Sequence, residues 1–262
     1  MNSNRNLKST PWPLEVDIGF GRGIVLTITV FLGSQLLYWL VDRTQKIVLS
    51  FLNYTLSNTG IGSEIYSGIL VILGFIFVYI VVQRFGRINI RTLLWHTPPS
   101  LKQGIKWAFW GFCLSFFFCL LQLYADGYII KGYGCYHYSD KSFLYVSMIT
   151  FIDIAVSGVL APIKEEISER GILYAALRKK GKVIAYFLSV FWFVFLHVPS
   201  YSNLFFNGII GLTLHHFILI ILTGIITAYI YESTGKLILC VIFHCAINAT
   251  LTLSAFLYYL IT

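Results

Sequence analysis

The chain has 262 residues, 57% of them hydrophobic and 17% aromatic, with only 11% charged and a mean hydropathy of +0.77. No soluble domain of this length needs so much apolar sequence, so residues 1–262 read as one integral, all-helical membrane domain. The formal net charge of +8 does not point to nucleic acid, because Lys and Arg fall between hydrophobic segments, where they set topology.

In chain order, a polar tail (residues 1–22) without the pattern of a cleavable signal peptide precedes a first span at Gly23–Val41. Ile47–Leu56 is too short to cross a bilayer and carries Asn53 and Thr55, so it is expected as an interfacial helix or an external loop. A second span runs from about Ile65 to Gln83. Arg84, Arg87, Arg91, Lys102 and Lys106 follow with no acid among them, which marks this loop as cytoplasmic. A third span, Trp107–Tyr124, leads to the turn-rich loop Ala125–Ser142, where Asp126, Asp140, Lys131 and Lys141 nearly cancel.

Phe143–Leu177 reads as helical throughout, but at ~1.5 Å per residue it would be about 50 Å long, well beyond a ~30 Å hydrocarbon core. Gly158 and Pro162 are natural break points, so two pieces, or one strongly tilted and kinked helix, are expected. A cationic turn, Lys179-Lys180-Gly181-Lys182, sends the chain back through Val183–Val198, which Pro199 is expected to close. Ser200–Gly211 reads as a loop or re-entrant piece. Leu212–Tyr231 is a further span, Glu232–Lys236 a cytoplasmic turn, and Leu237–Leu260 the last span. The architecture is a polytopic bundle of about seven transmembrane helices, with six to eight compatible with the pattern.

Charged groups in lipid are costly and mark function by default. They concentrate in Lys164-Glu165-Glu166-Ile167-Ser168-Glu169-Arg170. Glu166 and Arg170, four apart on a helix, can pair and leave Glu165, turned about 100° away, to face something else. Glu165 and His197 lie equally far from the Gly181 turn, so an antiparallel hairpin brings them to one depth, roughly 20 Å inside the cytoplasmic edge. A carboxylate and an imidazole so placed can share a water and take its proton. His244 and Asn248 are four apart on one face of the last helix, at a similar depth.

Asp153, an acid in an apolar run, suits a brace, a solvated kink or a substrate contact equally. His96, His137, His215 and His216 read as loop or interface residues. The five cysteines (Cys113, Cys119, Cys135, Cys240 and Cys245) form no CxxC pair, and small packing residues are the simplest reading of the four in apolar spans.

The run Glu165-Glu166-x-x-x-Arg170, then Phe193-x-x-x-His197, then His244-x-x-x-Asn248 resembles the three motifs of the type II CAAX prenyl endopeptidases. The bacteriocin-processing enzymes belong to the same family, often called CPBP, and the resemblance covers roughly residues 157–255, the catalytic motif region. It implies an intramembrane glutamate endopeptidase without a metal or other cofactor, with its active site inside the membrane towards the cytoplasmic side. Carried over, Glu165 and His197 activate the water, and His244 and Asn248 stabilise the oxyanion. Glu166 and Arg170 brace the motif helix. The implied partner is a membrane-associated protein or peptide, prenylated or not, in the lipid bilayer.

Two other readings stay open. Two histidines with two glutamates could hold zinc with one position open to water, although no HExxH is present. The chain could also be a non-catalytic scaffold, immunity or regulatory protein that keeps the fold, although every motif position is filled. The cation asymmetry places the N-terminus in the cytoplasm and suits the plasma membrane. A cysteine introduced at position 131 should therefore be labelled by an impermeant thiol reagent from outside, and one at position 180 only from inside. Labelling of both from the same side would contradict this topology.

Overall fold

The computed structural model describes residues 18–52, 60–96, 98–126, 143–206 and 210–261, all of them in helices or short connections with no strand among them. The helices are α1 (Phe20–Leu52), α2 (Gly60–Ile80), α3 (Ile90–Trp95) and α4 (Leu101–Asp126). A second series comprises α5 (Phe143–Asp153), α6 (Ala161–Glu166), α7 (Ala175–Arg178), α8 (Lys182–Phe206), α9 (Ile210–Thr234) and α10 (Leu237–Ile261). Three π-helical stretches adjoin them: π1 (Val81–Phe85), π2 (Ile154–Leu160) and π3 (Ile167–Tyr174).

Among the described residues six helices are long and apolar enough to cross a membrane, and α8, with its apolar stretch Lys182–His197, packs beside them. Helices dominate because lipid offers no partner for a free N–H or C=O, so each segment must satisfy its own backbone. The fold is a polytopic helical membrane bundle of about seven spans.

Two sequence expectations change and one pair of alternatives is decided in favour of a single continuous helix, all for this reason. The segment from Phe143 to Arg178 does not break at Gly158 or Pro162. It continues as α5–π2–α6–π3–α7, and the Ala161 N–H reaches back five residues to the Val156 carbonyl. Wide π turns keep the ladder closed where Pro162, in the first turn of α6, has no N–H to give. Likewise α8 passes through Pro199 and ends at Phe206, leaving much of the expected Ser200–Gly211 loop helical. Membrane helices tolerate such a proline because neighbouring groups re-satisfy the freed carbonyl. Finally, residues 47–52 extend α1 rather than forming a separate interfacial element. The expected external loop 125–142 lies, from residue 127 onward, outside the described residues.

The segments expected in the cytoplasm gather at one end of the bundle. Arg22 at the start of α1 donates to the Gly86 carbonyl after π1, and the Lys180 ammonium lies 4.9 Å over the Phe20 ring. Glu232 accepts from Tyr174 Oη at 2.9 Å and from Arg178 Nε and Nη2 at 2.9 and 3.0 Å, with Lys182 Nζ at 3.8 Å. Lys236 Nζ donates to the Pro98 carbonyl and to Gln103 Oε1. The loops after α2, α7 and α9 are thus tied together.

The last helix is the axis of the bundle. Along α10, Leu237, Leu239, Cys240, Phe243 and Ile247 are buried, packed above all against α4. Ser115 Oγ donates to the Ile247 carbonyl at 2.9 Å, and Trp107 meets Phe243 edge to face. At Gly111 the two backbones approach so closely that a Cβ would stand 2.5 Å from the Phe243 carbonyl oxygen. Gly111→Ala should therefore destabilise the protein by about 1–3 kcal/mol through overpacking. Gly104→Ala, where the nearest atom is the flexible Ile242 Cδ1 at 3.7 Å, should be neutral. Thermal unfolding in detergent would read the contrast.

Candidate active site

The site grows from the α6–π3 junction. Glu165 and Glu166 end α6, and Arg170 follows one turn later on π3. The Glu166 and Arg170 side chains are both fully buried, with Arg170 Nε 3.3 Å from Glu166 Oε2. Arg170 Nη2 also donates to the Gly224 carbonyl at 3.1 Å and to Thr227 Oγ1, both on α9, and its guanidinium lies 4.6 Å over the Phe193 ring of α8. One planar side chain thereby joins three segments.

The other Glu166 oxygen reaches α10. His244 Nδ1 stands 2.9 Å from Glu166 Oε1, and because a carboxylate only accepts, the ring nitrogen donates. This fixes the imidazole and turns its Nε2 towards Glu165, whose Oε2 lies 3.8 Å away. Nε2 is then an acceptor in the neutral ring and a donor only in the imidazolium. Glu165 itself keeps 23% of its side chain accessible, in contrast to the sealed Glu166.

His197 on α8 is held in the same manner. Its Nδ1 lies 2.7 Å from the Phe193 carbonyl one turn back, so Nδ1 donates and the neutral ring presents Nε2 as a free acceptor. His197 and Glu165 are within electrostatic reach of each other, as the hairpin arithmetic requires, but no direct hydrogen bond joins them. Phe193 separates the two imidazoles, with ring centroids 4.7 Å from His197 and 5.7 Å from His244.

Asn248, one turn beyond His244, donates from Nδ2 to the Ser157 carbonyl of π2 at 3.0 Å, which leaves its second N–H and its carbonyl oxygen for other partners. A turn further on, Thr252 Oγ1 donates to Asp153 Oδ2 at 2.9 Å. The bracing alternative for Asp153 thus has a partner, and π2 is clasped to α10 at two levels.

All six sequence candidates lie in one layer: Glu165, Glu166, Arg170, His197, His244 and Asn248. Sequence reasoning missed groups that hold them, namely Thr227 and the carbonyls of Gly224 and Ser157, and it named Phe193 as a motif position without a role. A carbonyl carries no signal in a sequence, and Thr227 looks like any membrane threonine. Glu169, buried with Oε2 lacking a hydrogen-bond partner, was equally unassigned. Among the described residues no three His, Cys, Asp or Glu side chains are arranged as metal ligands.

The helical bundle thus buries an ion-paired glutamate, sets a second glutamate beside the Nε2 of His244 and adds the Asn248 amide one turn further on. Residues 142–250, which carry the three motifs, match the family model described as Rce1-like, type II CAAX prenyl endopeptidase. The similarity is thus to CAAX-type membrane proteases, over the segment that carries the three motifs. No curated protein and no solved structure matches the chain.

Breaking the buried pair should be costly, because Glu166 would keep an uncompensated charge away from water. Arg170→Ala should lose about 3–5 kcal/mol of stability, read as lost yield of monodisperse protein. Glu166→Gln combined with Arg170→Met should recover part of that yield.

Proposed function

We propose that the protein is an intramembrane endopeptidase in which Glu165 activates water to hydrolyse a peptide bond of a membrane-associated or prenylated protein or peptide. The observation that carries this reading is the asymmetry of the two adjacent glutamates. Glu166 is sealed against Arg170 and His244, whereas Glu165 is partly accessible and faces the Nε2 of His244 at 3.8 Å.

Hydrolysis then runs on protein groups. The Glu165 carboxylate, with the free Nε2 of His197, removes a proton from water as the water oxygen attacks the scissile carbonyl. The C=O π bond opens to an oxyanion, which takes hydrogen bonds from the second Asn248 N–H and from a protonated His244 Nε2. The proton held at Glu165 passes to the departing amide nitrogen, the C–N bond breaks, and the C=O double bond re-forms. Water and one peptide bond become a carboxylic acid and an amine, with no net change at the enzyme. Glu166 and Arg170 act by holding His244.

The reading places the site about 20 Å from the end of the helix at Arg178, at ~1.5 Å per residue. With the cation-rich loops taken as cytoplasmic, the N-terminus is cytoplasmic too, and the protein belongs in the plasma membrane. Neither a cofactor nor a nucleic-acid partner enters the mechanism.

The test is cleavage of a prenylated reporter peptide, or of an endogenous precursor found by membrane proteomics, by wild type and Glu165→Gln at equal expression. The glutamine keeps the shape and removes the proton acceptor, so cleavage should fall by orders of magnitude while insertion survives. Asn248→Ala should fall only ~10²- to 10³-fold, the usual cost of one oxyanion donor. Undiminished cleavage by Glu165→Gln would remove Glu165 from the mechanism, and full complementation of the cellular phenotype by that variant at equal expression would favour a non-catalytic scaffold. Loss of activity on chelation, restored by zinc, would favour a metalloprotease.

A further inference from the structure

Lys164, like Glu169, has no part in the mechanism. Lys164 precedes Glu165 on α6, fourteen residues above Arg178, and at ~1.5 Å per residue this puts it roughly 20 Å into the bundle. A cation at that depth is expensive unless paired or hydrated. Arg170, the other cation here, is committed to Glu166, Gly224, Thr227 and the face of Phe193. Lys164, by contrast, makes no ion pair and no side-chain hydrogen bond among the described residues, although it is within electrostatic reach of Glu165, His197 and Glu169.

Its stem is nevertheless placed. The Lys164 Cδ lies over Gly74 of α2, where even a Cβ would stand 3.6 Å away, and the residue as a whole is only partly buried. The lysine stem thus runs between α2 and α6, beside the accessible glutamate.

We propose that Lys164 is a specificity-determining, anion-binding side chain of this site, which takes a carboxylate or phosphate oxygen of the molecule held next to Glu165. Two considerations support an incoming anion. Glu165 is the accessible carboxylate of the layer, Glu166 being paired with Arg170, so an anionic substrate would meet repulsion there unless a cation stood beside it. Among the described residues Lys164 alone is uncommitted for that task. A single flexible ammonium with three donors also suits a point contact better than bidentate recognition.

The inference rests on the reading of the site as a peptide-hydrolysing centre, so binding and cleavage are measured separately. The probes are a fluorescent farnesylated peptide with a free C-terminal carboxylate and the same peptide as its C-terminal amide. Each is titrated against full-length protein in phosphatidylcholine nanodiscs. Wild type should bind the acid about 10- to 100-fold more tightly than the amide, the range for a hydrogen bond to a charged group. Lys164→Gln should bring the acid down to the level of the amide with thermal unfolding unchanged, and Lys164→Arg should keep most of the preference.

A second arm exposes the same proteins to nanodiscs containing phosphatidylglycerol and counts retained lipid by native mass spectrometry. Peptides that bind alike, with phosphatidylglycerol retained by wild type and lost from Lys164→Gln, would assign the anion to a headgroup phosphate. Discrimination and retention that are unchanged in Lys164→Gln, or absent from wild type, would overturn the proposal. Glu165→Gln, read only on cleavage, reports separately on the hydrolytic reading.

Discussion

The site depends on the buried pair of Glu166 and Arg170. Two opposite charges removed from water hold their place only if geometry and further hydrogen bonds compensate for lost hydration. Here Arg170 adds contacts to Gly224, Thr227 and the Phe193 ring, and Glu166 adds His244. Helices α6, α8, α9 and α10 therefore share one electrostatic joint. Its consequence is specific: the imidazole of His244 has one orientation, with Nε2 towards Glu165.

The π-helical stretches place the members of that joint. A π turn widens the helix and changes which residues share a face. Two such stretches flank Glu165 and Glu166, which sit on the short α6 between them. One of them, π2, supplies the Ser157 carbonyl that takes the Asn248 amide, and Asp153 just before it takes Thr252. The other, π3, carries Arg170 towards α9. Non-standard helical geometry, costly elsewhere, is concentrated where side chains from several segments converge.

Polarity is graded across this layer. Glu166 and Arg170 are sealed, His244 is nearly so, and Glu165 is partly open. Such a gradient anchors the buried groups and leaves Glu165 reachable. Lys164 lies on the α2 side of the same helix, away from the joint, which is why it can be both placed and unpaired.

Much of this was determined by the sequence alone. Long apolar runs separated by cationic loops dictate a helical bundle in lipid, because no other structure satisfies the backbone there. The four-residue spacings of Glu166 with Arg170 and His244 with Asn248 each put two side chains on one helical face. The equal distances of Glu165 and His197 from Gly181 set their common depth. What only the tertiary structure decided is how neighbouring segments meet. That His244 is held by Glu166 rather than left free, that Phe193 lies between the two imidazoles, and that Ser157 and Gly224 lend their carbonyls all depend on contacts across helices. The continuity of the chain through Pro162 and Pro199 also belongs there. Proline breaks or kinks a helix in water, but in lipid an unsatisfied backbone costs more than a widened or bent helix, and only the packed bundle shows how each defect is absorbed.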